Sequence, residues 1–268
     1  MQLLVSAMNQ ELESLVKQMK IASNAIIINQ CGVVSYESHP IEIGQGAVRT
    51  VQCYSFAERG IGLSRNNALL RATDELSLFS DDDIEYVKGY EQLIEEEFAK
   101  HTEADVILFQ FDVCPSRKTY HTTSYHRVRW HNCGRYPTFS MAIRTSRIHE
   151  RNITFSLLFG GGAKYSNGED SLFLQECIRK GLRVYASPIL IGREIERPST
   201  WFMGYNEKFF YDRGVLYKHL YGNMAYVFAV RFLMKHKGKM CQTIQVRQAF
   251  SHMRRGIQAT LRKGRVVS

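Results

Sequence analysis

The sequence predicts an α/β protein with a mostly parallel central sheet wrapped on both faces by helices, and with a helical, basic extension at its C-terminal end. Two observations carry this. Over residues 1–200, short and nearly continuous apolar runs alternate with segments of helical periodicity, the pattern of strands joined by crossover helices. Beyond residue 200 the strands stop, and aromatic, apolar and basic residues mix at roughly helical spacing. A chain of 268 residues has length for one sizeable core, so residues 1–200 are expected to form one domain and residues 201–268 its extension.

Each element follows from local pattern. "LLVSAM" (3–8) reads as a buried strand, and "NQELESLVKQMK" places Leu12, Leu15, Val16 and Met19 at helical spacing. "AIIIN" (25–29) and "RTVQCYS" (49–55) are further strands. "LSRNNALLRAT" (63–73) is a helix with Ser64 as its expected N-cap, and "ELSLFS" (75–80) is a strand. "YVKGYEQLIEEEFAK" is a helix with a charged outer face, and "ADVILFQFDV" is a long buried strand. From Cys114 to Pro137 the chain is loop-like and rich in Arg, His and Tyr, suited to a lid or a substrate-binding excursion. "GEDSLFLQECIRKGLRVYASP" (168–188) is a helix opened by Glu169 and Asp170 and stopped at Gly181, followed by a strand.

Composition narrows the function. Six scattered cysteines without a C-x-x-C pair, in a chain opening "MQLLVSAMNQELESL", lead us to expect a reduced, cytoplasmic setting. The longest apolar run of the extension, "MAYVFAV", stops at Arg231, well short of the roughly 20 residues that span a bilayer. Charge is unevenly spread. Residues 201–268 hold 13 Lys and Arg against Glu207 and Asp212, while residues 1–200 are close to neutral. A cationic, aromatic-rich end implies an anionic partner: a membrane surface, a lipid phosphate or nucleic acid.

Two acidic clusters are candidates for chemistry. "LFSDDDIEY" gathers Asp81, Asp82 and Asp83 at the carboxyl end of a strand, where open α/β sheets bind ligands. If the backbone stays extended, Asp81 and Asp83 share one side as a pair of hard oxygen ligands for Mn²⁺ or Mg²⁺. The same triplet would also serve as a helix-capping turn, through Ser80 and Asp81. Glu169 and Asp170 sit in the first turn of their helix, where the dipole favours their ionised forms. That suits a general base, and it equally suits plain dipole complementation.

Together, "GLSRNNALLRATDELSLFSDDDIEY" and "NITFSLLFGGGAKYSNGEDSLFLQECIRKGLRVYASP" resemble glycosyltransferase family 2, nucleotide-sugar-dependent enzymes with the Rossmann-like GT-A fold, over roughly residues 1–200. The resemblance implies that Asp81 and Asp83 bind ribose and a Mn²⁺ or Mg²⁺ ion bridging the diphosphate, with Asp82 beside them in the donor site. It implies that Asp170 is the base of an inverting displacement, that Glu169 next to it is among the nucleotide-sugar-binding residues, and that Arg65 and Asn66 border the nucleotide pocket. Two positions depart from the family pattern. "INQCG" puts Asn29 and Gln30 where relatives carry acids that contact base and ribose, and amides can still hydrogen-bond uracil. "ILIGREIERPSTW" has Arg193 near the place of a family histidine, where a guanidinium can clamp phosphate. Trp201 and Phe202 are candidates to stack on a sugar or to fill the core.

The expected function is therefore metal-dependent sugar transfer from a nucleotide-sugar, with UDP-sugar as the family's usual donor, to a hydroxyl of a glycan or lipid-linked acceptor in cell-surface polysaccharide synthesis. The tail is expected to bind an anionic membrane peripherally, at the inner face of the cell membrane, or to pack on the body with a solvated basic face. The competing readings are a metal-dependent nucleotidyltransferase, a catalytically inactive relative serving as a scaffold, and a basic nucleic-acid-binding protein. A nucleotidyltransferase has no use for the Gly-Glu-Asp helix, and sheet-edge carboxylates would repel a nucleic acid's phosphates unless a metal were bound.

Overall fold

The computed structural model describes residues 1–43, 47–115, 117–197 and 204–263, with side chains through residue 260. In chain order the elements are β1 (Gln2–Met8), α1 (Leu12–Met19), β2 (Asn24–Gln30), β3 (Ser35–Glu42), β4 (Val48–Phe56), α2 (Ile61–Arg71), β5 (Leu76–Asp81) and β6 (Ile84–Tyr86). Then follow α3 (Tyr90–Lys100), β7 (Val106–Asp112), β8 (His126–Arg127), β9 (Met141–Arg144), α4 (Thr145–Glu150), α5 (Glu169–Arg179) and β10 (Val184–Glu194). The extension forms α6 (Glu207–Tyr221), α7 (Ala225–Met240) and α8 (Val246–Lys263).

The strands form one sheet in the order β3-β4-β2-β1-β5-β9-β7-β10-β6, with β8 pairing on β10. β4, β2, β1, β5, β7 and β10 run in one direction, with β9 inserted antiparallel between β5 and β7. Alternation along β1 feeds both faces. Leu3 and Val5 join the core beneath α1 and α3, while Leu4 joins the core beneath α2 and α5. A third apolar cluster unites the helices of the extension. There, α6 and α8 cross backbone to backbone: a Cβ added at Gly214 would collide with the Met253 carbonyl, and one at Gly256 with the Tyr211 carbonyl.

Strand β3 departs from the sequence reading. "SYESHPIE" is almost wholly exposed and lacks an apolar run, and it is a strand because it pairs antiparallel with β4 as a sheet edge. The capping of α2 differs as well. The helix starts at Ile61 behind Gly60, and Ser64 lies one turn inside, buried, with its Oγ donating to Ser6 Oγ at 2.9 Å. Within the loop-like segment 114–137, Tyr120, Val128, Cys133 and Tyr136 are buried and anchor it to the core beneath α2 and α5.

Candidate active site

The carboxyl ends of β1, β2 and β5 open into a cavity of about 750 Å³, within the usual size of small-molecule sites. Its wall brings together Gln30, Arg65, Asp81, Asp82, Asp83 and Glu169. The glycine-rich turn at Gly160–Gly162 closes it on one side, and Asn206, Lys208 and Phe209 from the start of α6 line another. Gly160, at φ +106°, approaches Glu169 so closely that a Cβ there would lie 2.9 Å from the carboxylate carbon.

The acidic triplet does not continue β5 as an extended segment. After Asp81 the chain turns at Asp82 and Asp83 before β6, so the strict alternation expected from the sequence fails, and all three side chains line the cavity. The turn is set from β1. Asp82 Oδ2 accepts from the Met8 amide at 3.1 Å and from Gln10 Nε2 at 3.0 Å. This commits Asp82 to holding the triplet in place.

Two arginines counter the carboxylates. Arg65, almost wholly buried, spans Asp81 Oδ1 at 2.9 Å and Glu169 Oε1 at 2.8 Å, tying β5 to the first turn of α5. Burial works against its charge, yet Asp81 and Glu169 together hold its pKa above the ordinary arginine range. Its Nε has no hydrogen-bond partner among the described residues. Arg197 lies over the other two, bonding Asp82 Oδ1 through Nη2 and Asp83 Oδ2 through Nε. The sequence reading did not single out Arg197. It arrives through strand register: β10 runs antiparallel to β6, Arg193 opposes Glu85, and Ile195 donates to the Asp83 carbonyl at 2.7 Å, which carries residue 197 back over the triplet.

Arg193 itself is placed elsewhere. Its guanidinium bonds Glu85 and its side chain is 65 % exposed, beside a second hollow shared with Lys20 and Gly89, so it does not line the main cavity. Two other expectations change for a common reason. Asn29 exchanges both ends of its amide with the Gln10 backbone (3.1 and 2.8 Å), and Asn66 does the same with Phe155 (2.9 and 2.7 Å). Neither lines the cavity, and each pins a loop to the scaffold. Gln30 clamps the Gly60 backbone in the same manner at 3.2 Å both ways, but it remains in the cavity wall. Trp201 and Phe202 lie outside the described residues.

Glu169 and Asp170 divide. Glu169 uses one oxygen for Arg65 and the other to accept from the Gly168 amide at 3.1 Å, so it fastens the helix start. Asp170 stands outside the cavity wall, on the side of Cys133 and Arg213. Its Oδ1 accepts from the Ser171 amide at 2.6 Å and from Ser171 Oγ at 3.2 Å, and its Oδ2 has no partner among the described residues. Burial, and then the neighbouring Glu169 charge, push the Asp170 carboxyl up to about 6. Asp83 also rises to about 6, through burial first and the charge of Asp81 second.

The donor set is right in kind for Mn²⁺ or Mg²⁺ and short in number. Asp81 Oδ2 and Asp83 Oδ1 are hard carboxylate oxygens without a hydrogen-bond or ion-pair partner among the described residues. No cluster of three or more His, Cys, Asp or Glu side chains suited to a metal occurs among those residues. One or two carboxylates completed by substrate phosphates is how Mg²⁺ is commonly held, so the residues fit such an ion when a diphosphate accompanies it. The sequence had not marked Arg117 or Lys208 either, both cationic residues of the wall. Arg117 is paired with Glu194 at 2.8 Å, and the abundance of arginine in the 114–137 segment was the available signal.

The mostly parallel central sheet with helices on both faces has the GT-A fold seen in glycosyltransferases. Comparison with solved structures agrees. Residues 1–349 of S. aureus TarS in complex with UDP-GlcNAc superpose with a TM-score of 0.63 at 16 % identity, covering 97 % of this chain and 81 % of that one. The mannosyltransferase PcManGT from Pyrobaculum calidifontis, in complex with GDP-Man and Mn²⁺, gives a TM-score of 0.50 at 12 % identity over 97 % of this chain and 74 % of that one. No protein-family model and no curated protein matches the chain by sequence.

Proposed function

We propose that this protein is a glycosyltransferase that moves a sugar, with inversion, from a nucleotide-sugar, a UDP-sugar in the first instance, to a hydroxyl of a glycan or lipid-linked acceptor in cell-surface polysaccharide assembly. One observation carries the reading: Asp81 and Asp83 each present an uncommitted oxygen to a cavity of donor size, while next to that cavity Asp170 keeps an uncommitted oxygen of its own. Asp81 and Asp83 would hold Mn²⁺ or Mg²⁺, and the ion's chemistry there is neutralisation of charge on a departing diphosphate. Arg65 keeps Asp81 aimed into the cavity, and Arg197, Arg117 and Lys208 add positive charge for phosphate oxygens. Asp170 Oδ2 takes the proton of the attacking hydroxyl. A pKa near 6 leaves it ionised at neutral pH yet more basic than an ordinary aspartate. Only one catalytic carboxylate is needed for a single displacement.

The test is release of nucleoside diphosphate from UDP-, GDP- and CMP-sugars with Mn²⁺, with and without EDTA, comparing wild type with Asp83→Ala and Asp170→Asn. Metal-dependent release from one donor, nearly abolished by Asp83→Ala, is the expected result, and donor-independent silence would overturn it. Because Arg197 already covers Asp82 and Asp83, a catalytically silent, donor-binding relative is the second reading. Thermal stabilisation by a donor without release, even when candidate acceptors are added, would favour that one.

A further inference from the structure

The outer face of α7 has no partner among the described residues. Its inner face is settled: Ala225, Ala229 and Leu233 are buried, Phe232 meets Tyr217 edge-on at 5.8 Å, and Phe228 stacks on Tyr221 with centroids 3.7 Å apart. On the opposite side Met224, Val227, Val230 and Met234 form a stripe at helical spacing, each 44 to 71 % exposed. Arg231 and Lys235 border it along one flank and Lys237 along the other, all exposed and none ion-paired among the described residues. From Ala225 to Lys263 the sequence holds nine lysines and arginines and no carboxylate. Trp130, 42 % exposed, packs edge-on against Phe228 and Tyr221 at the margin of this face.

We infer that the outer face of α7 docks in the plane of an anionic lipid bilayer, its Met and Val side chains entering the headgroup boundary and Arg231, Lys235 and Lys237 meeting lipid phosphates. Apolar stripe and cationic flanks on one short helix are the composition of an interfacial helix. No helix among the described residues is long and apolar enough to cross a membrane, so the contact lies along the surface. A second copy of this face would bring like charges together with no acid to receive them. A nucleic acid would match the cations but gain little from the aliphatic stripe itself, since Met224, Val227, Val230 and Met234 carry no ring on which bases could stack and Trp130 stands only at its margin. The inference stands without the transferase reading. If both hold, α6, which packs on α7 and opens with Lys208 and Phe209 in the cavity wall, brings the cavity close to a lipid-linked acceptor.

The experiment uses the full chain with phosphatidylcholine vesicles, with and without phosphatidylglycerol, scored by co-sedimentation and by Trp130 emission in a Trp201→Phe background. We expect sedimentation with the phosphatidylglycerol vesicles only, a blue shift of Trp130, and weakening by high salt. Both a V230S/M234S variant and a K235E/K237E variant should weaken binding about tenfold or more, the first through lost insertion of apolar side chains and the second because each lysine near such a surface contributes roughly a fivefold factor. Both should retain their circular dichroism and their donor hydrolysis in vesicle-free solution, which separates failure of this inference from failure of the proposed activity. Indifference to phosphatidylglycerol would overturn the inference. So would undiminished binding by the V230S/M234S variant, or a dimer in sedimentation equilibrium that V230S/M234S abolishes while vesicles are ignored.

Discussion

The cavity and the outer face of α7 treat charge in opposite ways. In the cavity Asp81, Asp82, Asp83 and Glu169 each meet Arg65 or Arg197, and the arrangement is largely buried. On α7 three exposed cations meet no acid at all among the described residues. Burial explains the contrast. A desolvated carboxylate must be paired or protonated, whereas an exposed lysine is solvated at little cost and keeps its field free to act at a distance. Paired charge sets geometry inside the fold, and unpaired charge at the surface selects what approaches.

The comparison breaks first at Arg65. Arg65→Leu would strand the carboxylates of Asp81 and Glu169 against each other in the cavity wall. Breaking a buried pair from one side costs about 3 kcal/mol or more, so the melting temperature should fall by roughly 6–10 °C. A fall of only a degree or two in scanning calorimetry would show that water enters the wall freely and that the pairing is not what organises it.

Asp170 offers the next largest effect, with a sign opposite to that of Arg65. Its folded pKa of about 6 lies above the ordinary 3.8, so the folded chain binds the proton more tightly than the unfolded one. Ionised Asp170 therefore costs stability above about pH 6, and that cost fades as pH falls towards 3.8. Asp170→Asn should be more stable than wild type at pH 8, by a margin that shrinks in acid, while the proposed sugar transfer, in which Asp170 would act as the ionised base, should decline in wild type as pH drops through about 6. A pH-independent stability difference would mean that Asp170 is not held in a desolvated site.

These residues also mark how far the sequence could be followed. The strand–helix alternation, the acidic triplet at the end of β5 and the helix opened by Glu169 were legible because local pattern determines them. What a side chain does was less so. Asn29 and Asn66 sit where donor-binding residues were expected, yet each is consumed by a distant backbone segment that no local pattern names. The turn at Asp82 depends on the Met8 amide, more than seventy residues away. Arg193 and Arg197 lie four residues apart in one stretch, and only the register of β10 on β6 decides which of them reaches the triplet.

Arg197 gives the smallest expected change in stability and the sharpest test of the comparison. Its side chain is 43 % exposed although Asp82 and Asp83 are nearly buried, so water can replace much of what it gives them, and Arg197→Gln should cost about 1 kcal/mol, less than Arg65→Leu. Its effect on cation binding should be larger. In the free protein Arg197 supplies the positive charge that Asp83 would otherwise seek, and a divalent ion must compete with it for the same carboxylate. Arg197→Gln should therefore bind Mn²⁺ several-fold more tightly than wild type in the absence of nucleotide, as read by Mn²⁺ electron paramagnetic resonance. In the presence of a nucleoside diphosphate the order should reverse, because the variant lacks a guanidinium for the phosphate oxygens. If the variant instead binds Mn²⁺ no better than wild type, Arg197 is a fixed part of the wall rather than a charge that yields its place, and the cavity's pairing would be as permanent as its burial.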